Sequence, residues 1–167
     1  NIAHDIGLSV RQAQTFGLSV KGLNTGGGSL TFPTYGVHFR TQKDETSGDP
    51  ADGRTFLLFA DIIGNNKRYD PSSSGCSVAG EECVQIFTIQ SGGSIVDLCG
   101  INGANEDCSL TYLDIAYTRP DPDASILGYS VQTGQVAPFG KGMIKVQSPR
   151  GDEKRVSVWS TGQIAVE

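Results

Sequence analysis

Asp61, Asn65 and Asp70 bring three oxygen donors into the short stretch ADIIGNNKRYD, a spacing that could partly encircle a hard cation such as calcium. An EF-hand would place an oxygen ligand at its third position, glycine at its sixth and glutamate at its twelfth. Here those places hold Ile63, Asn66 and Ser72. The stretch reads instead as a strand end running into an Asn-rich turn, and no metal ligand set is assigned to it. Four cysteines form two close pairs, Cys76 with Cys83 and Cys99 with Cys108, each spanning a polar loop. Local disulfides are the simplest of three connectivities. Zinc would need tighter spacing and nearby histidines, and His4 and His38 lie far off in sequence. Free buried thiols are the third alternative. Disulfides would imply an oxidising, extracytoplasmic compartment.

Other chemistry-bearing residues have plain structural readings. Arg150, Gly151 and Asp152 spell RGD, but glycine followed by aspartate is also what a tight hairpin turn requires. Asp121 and Asp123 sit between prolines in TRPDPDA, a rigid connector rather than a central strand. His38 alternates with Val37 and Phe39, which predicts a side chain on the solvent face of a strand. No nucleophile elbow, phosphate-binding loop, zinc-protease helix or paired-carboxylate signature is present. No enzyme, catalytic residue or cofactor is expected.

The formal charge of −5 comes from 13 basic against 18 acidic residues. No basic cluster could track a phosphate backbone, so nucleic acid is not an expected partner. No apolar run reaches the roughly 20 residues of a membrane span. A chain of 167 residues suffices for one domain burying roughly 70% of its unfolded surface.

The elements that must position these residues are one helix and many strands. Ile2, Ile6, Val10, Ala13, Phe16 and Val20 recur at three- and four-residue steps, the stripe of an amphipathic helix ending near Gly22. With no initiator Met and no cap before Asn1, the helix reads as starting partway along. LNTGGGSLTFPTYG then breaks regular structure. Nine strand-length segments follow, YGVHF, RTFLLFAD, VQIFTIQ, SIVDLC, LTYLDIAYT, ASILGYSVQ, GMIKVQS, KRVSVWS and QIAVE, rich in β-branched and aromatic residues. The last three read as a meander. TQKDETSGDPADG and NNKRYDPSSSGCSVAGEEC read as long surface loops. The expected class is α+β, one N-terminal helix packed on an antiparallel sheet or two small sheets.

The helix LSVRQAQTFGLSVKG, the segment YGVHF, LLFAD with the following GNN and YD, the connector TRPDPDA and the closing VSVWSTGQIAVE together resemble bacterial type IV pilin-like proteins. Within them, the likeness is to minor pilins and pseudopilins of the GspH/FimT type. The resemblance implies residues 1–22 as the second half of a long helix and 29–167 as a β-rich head, one pilin-like domain. It implies a structural subunit of a type IV pilus or a type II secretion pseudopilus, anchored in the membrane before assembly by an upstream apolar segment and joined to other pilin subunits through the helix. On that reading the stripe is divided. Residues nearer Gly22, Phe16 above all, are expected in the subunit's own core, and those nearer Asn1, such as Ile2, are expected to serve assembly. Gly7, Ser9, Ala13 and Gly17 would permit close approach. The competing readings are a secreted adhesion or binding module and an extracellular enzyme.

Overall fold

The computed structural model describes residues 1–19, 21–24, 30–41, 53–71, 76 and 80–167. Helix α1 (Ile2–Leu18) carries Asp5 in its first turn and gives way at Ser19, whose extended backbone donates its N–H to the Thr15 carbonyl. It is shorter than the predicted 1–22, and Val20 lies outside the described residues. Thirteen strands follow among the described residues. The short β1 (Leu23–Asn24) and β2 (Leu30–Thr31) pair with each other. A six-stranded antiparallel sheet contains β3 (Thr34–Arg40), β4 (Thr55–Asp61), β5 (Cys83–Thr88), β8 (Tyr112–Tyr117), β9 (Ala124–Ser130) and β10 (Gln135–Pro138), in the order β10-β9-β8-β3-β4-β5. A five-stranded sheet contains β6 (Ser94–Asn102), β7 (Asn105–Asp107), β11 (Lys141–Gln147), β12 (Glu153–Trp159) and β13 (Ile164–Val166), in the order β13-β12-β11-β6-β7. The closing meander is therefore β11-β12-β13, joined by the Ser148–Asp152 turn that holds the RGD tripeptide. The architecture is α+β.

The period of two along the central strands separates two cores. Val37 and Phe39 of β3, Phe56 and Leu58 of β4, and Leu113, Ile115 and Tyr117 of β8 face α1 and the second sheet. Leu57, Phe59, Cys83 and Ala116 form a smaller cluster on the other face, with Tyr69 and Cys76 packed against it. Every residue of β3 and β4 is buried. This reverses the expectation for His38, which is 4% exposed. Alternation locates a residue on one of two faces, but here the chain after β4 covers the face that would otherwise be wet.

The helix stripe also departs from the expected division. Ile6, Val10 and Ala13 are fully enclosed, and burying each of the two larger side chains contributes about 1.5–3 kcal/mol. Ile2 is buried as well, in the same cluster, whereas Phe16 is half-buried and meets Tyr35 edge-on at 5.6 Å. Ile2 is thus part of this domain's own core, in one cluster with Phe56 and Val146 against which Phe87 packs. Gly17 permits a close helix–sheet approach. A Cβ there would stand 2.8 Å from Tyr117 Cβ, and the Tyr117 carbonyl oxygen is nearer still.

Candidate functional site

Asp61, the last residue of β4, begins a loop through Pro71 that contains neither helix nor strand. Buried backbone donors need partners wherever regular pairing stops. In this loop carboxylates supply them. Glu82 Oε1 accepts the N–H groups of Ile62 and Ile63 at 3.1 and 2.8 Å, and Oε2 accepts that of Asp70 at 2.7 Å. Asp61 Oδ2 accepts the Lys67 N–H at 2.6 Å. Such hydrogen bonds to a charged acceptor are shorter and stronger than neutral ones. Lys67 reaches this geometry with φ +61°, in the left-handed region that a non-glycine residue seldom occupies, and Gly64 and Asn65 precede it at +73° and +52°. Asn66 closes the turn, accepting the Arg68 N–H and donating to Asp70. The Cys76–Cys83 disulfide ties the later part of the connection to β5, beside Glu82.

Burial raises Glu82 from its ordinary 4.5 to about 7, and the charges of Asp61 and Asp70 push the same way against the lowering pull of the Asp70 and Ile63 amides. Burial likewise raises Asp61, opposed by the amides of Lys67, Asn66 and Asn65 and assisted by Asp70. Among the described residues, the ion pair nearest this cluster is Arg68 with Asp70 at 3.9 Å. A further carboxylate lies beneath the same loop. Asp114 of β8 is fully buried and lies 2.7 Å from His38 Nδ1, with the Tyr69 amide directed at it from above. Burial raises its pKa, while the His38 charge and hydrogen bond lower it. Tyr69 and Tyr112 flank the imidazole, their ring centroids 5.0 and 5.5 Å away.

Beside Asp61 opens a cleft of about 500 Å³ lined by Thr31, Phe32, Pro33, Ile62, Asn65 and Gly80. Asp61 is 3% exposed, and its Oδ1, sealed from solvent, makes no hydrogen bond of full geometry, although the Asn65 and Asn66 amides act on the same carboxylate. Phe32 is about half exposed, with the Arg119 guanidinium 5.3 Å from its ring centre.

Asp61, Asn65 and Asp70, considered as cation donors on sequence, thus sit together in one loop, but as its internal fastening. Their neighbours include Glu82, which no local spacing could connect to a loop that begins 21 positions earlier. The one group of three Cys, His or acidic ligand atoms close enough for a single ion among the described residues is Cys99, Glu106 and Cys108. Its two sulfurs are joined in a disulfide and cannot ligate as thiolates. The pairings are Cys76–Cys83 and Cys99–Cys108, and they point to an oxidising, extracytoplasmic setting. No helix of the described residues is long and apolar enough to cross a membrane.

Asp121 accepts the Asp123 N–H in an Asx turn, and both are exposed. Arg150 and Asp152 are exposed at the β11–β12 turn, where Ser148 Oγ accepts both of their N–H groups. TQKDETSGDPADG lies almost wholly outside the described residues, as do 72–75 and 77–79 of the second loop. Comparison with protein-family models, curated proteins and solved structures finds no match.

Proposed function

We propose that the chain is a structural subunit, a minor pilin or pseudopilin, of an extracellular type IV pilus or type II secretion pseudopilus. The observation that carries this reading is α1 itself. Its apolar stripe lies against strands of both sheets, β3 and β8 in one and β12 and β13 in the other, and it leaves a second apolar patch uncovered. Leu8 and Val166 are 51% and 42% exposed, and they line a shallow groove with Gly7 and Ile164 between the helix and the edge strand β13, bordered also by His4 and Arg11. In a filament this patch would meet a neighbouring copy. Membrane anchoring before assembly would come from an apolar segment upstream of Asn1. The Asp61 cleft favours a second reading, a secreted binding module.

The test is Leu8→Asp in the full-length gene product, scored by surface filaments or secreted substrate in cells and by urea unfolding of the isolated domain. Filament incorporation should fall at least tenfold while stability changes by no more than about 0.5 kcal/mol, as expected at an exposed site. Wild-type filaments from the variant, or a gene encoding no apolar helix ahead of this domain, would refute the proposal.

A further inference from the structure

The last strand of the five-stranded sheet leaves half of its backbone unused. Arg155 and Glu167 exchange N–H and carbonyl with each other at 2.9 Å, and the Trp159 N–H reaches the Gln163 carbonyl at the same distance. Facing residues in an antiparallel ladder alternate between bonded and unbonded pairs. With Val156 opposite Val166 and Val158 opposite Ile164, the N–H and carbonyl groups of Ile164 and Val166 therefore point away from β12. β13 ends its sheet, and no strand among the described residues pairs with that side. If the patch formed by Leu8 and Val166 is an interface, a helix or a flat surface laid over it would bury these groups without partners, which is costly. An added strand would satisfy them.

Charge, proline and cross-links discourage pairing at sheet edges. Of the other outer strands, β7 carries Glu106 and Asp107, β10 ends in Pro138, and β5 is held to the preceding chain by the Cys76–Cys83 disulfide. β13 is Ile-Ala-Val, with neither charge nor proline. Helix α1 runs beside it as a wall. Val166 lies against Gly7, where a Cβ would stand 3.2 Å from the Val166 Cγ2, and Leu8 lines the same groove. A strand added to β13 would turn alternate side chains toward that wall. His4 and Arg11, both exposed, border the groove along the helix to either side of Leu8 and favour acidic neighbours. The chain's own acids nearby in sequence face elsewhere. Asp5 lines the cleft that contains Phe87, and Glu167, one position beyond Val166, falls on the opposite face of the sheet.

We propose that β13 is an acceptor edge for an extended segment of a neighbouring subunit, which pairs with the outward groups of Ile164 and Val166, lays an apolar side chain on Leu8, and turns acidic side chains two positions to either side toward His4 and Arg11. This deepens the filament reading and rests on it for the partner. It specifies that the patch is covered by main-chain pairing rather than by a helix or a flat face.

The probe is the peptide acetyl-Thr-Glu-Thr-Val-Thr-Glu-Thr-amide, titrated into the whole chain at constant pH and ionic strength while backbone amides are followed by NMR. Saturable shifts are expected at Ile164 and Val166, whose N–H groups should exchange with solvent at least tenfold more slowly once the peptide is bound. Two analogues carry N-methyl groups on alternate residues, one on the Glu and Val positions and the other on the inner Thr positions. One of them should lose binding, because its methyl groups face β13, and the other should bind within about threefold of the parent. Arg11→Glu, at an exposed helix position, should weaken binding at least fivefold, and a peptide with lysine in place of both glutamates should recover it. The proposal is overturned if the peptide gives no saturable shift, if the Ile164 and Val166 amides stay unprotected, if both methylated analogues bind alike, or if Arg11→Glu leaves the affinity unchanged. Loss of filaments in Leu8→Asp cells with no peptide binding would overturn the acceptor edge alone, whereas peptide binding beside normal Leu8→Asp filaments would keep the acceptor edge and refute the filament reading.

Discussion

Replacing Glu82 by glutamine should flatten the dependence of stability on pH. Glu82 is 1% exposed and its pKa is raised from 4.5 to about 7, so the folded protein holds its proton more tightly than the unfolded chain does. The stability gained is therefore complete below about pH 4.5 and is lost as pH rises through about 7. Each pH unit of that gap corresponds to about 1.36 kcal/mol, so the loss approaches about 3 kcal/mol as an upper bound. Asp61 and Asp70 face Glu82 and oppose its ionisation, while Arg68 sits on Asp70. Asp61 and Asp114 are raised in the same direction, but they remain in both proteins and drop out of the difference. Glutamine keeps an acceptor for Ile62 and Ile63 and turns an NH2 toward the Asp70 N–H, so the variant should start less stable and then change little. The assay is urea unfolding of both proteins at intervals from pH 5 to 8. Parallel profiles, or a wild type that gains stability relative to the variant as pH rises, would refute the account of Glu82 as a buried acid short of countercharge.

Gly17→Ala sets helix propensity against packing: alanine gains roughly 1 kcal/mol in a helix interior, but its Cβ would press on the Tyr117 backbone, and overpacking costs about 1–3 kcal/mol. Net destabilisation is expected, since a strand carbonyl yields less than a flexible side chain, and a urea midpoint above wild type would contradict it. Peptide mapping without reductant should recover Cys76 joined to Cys83 and Cys99 joined to Cys108. Replacing either pair by alanine should lower stability by about 2–4 kcal/mol, and crossed peptides or alkylatable thiols in the native protein would contradict the pairing.

The nine strand segments were legible because their β-branched and aromatic residues repeat between turn residues, and each coincides with an observed strand. The strands not anticipated are β1, β2, β7 and β10, all of two to four residues, too short for periodicity to register. β7 is Asn-Glu-Asp and pairs with β6 only because the chain turns back on itself at Gly103. Helix and class were readable from the Ile2 to Phe16 stripe, but the stripe could not say which end would be better covered. That depends on Phe56, Phe87 and Val146, brought to Ile2 from distant strands. Asp61 and Asp70 stood out as donors by spacing, whereas Glu82, the hub that organises them, looked like an ordinary acid before a cysteine. His38 was misplaced for a related reason: its partner Asp114 lies 76 positions away, and local alternation holds no information about a lid formed by another part of the chain.

The carboxylate-fastened loop changes how local opening should be distributed over the molecule. Amides in irregular segments ordinarily exchange with solvent quickly, because few cooperative bonds restrain them. Ile62, Ile63, Lys67 and Asp70 instead donate to buried acids rooted in β4 and at the start of β5. Their protection should follow the opening of the sheet rather than the fluctuation of a surface segment, making this stretch of coil part of the same cooperative unit as the strands it connects. Gly64, whose N–H is not among these donors, would remain free to move at its tip, so the molecule presents a small adaptable surface on a mount as durable as its core.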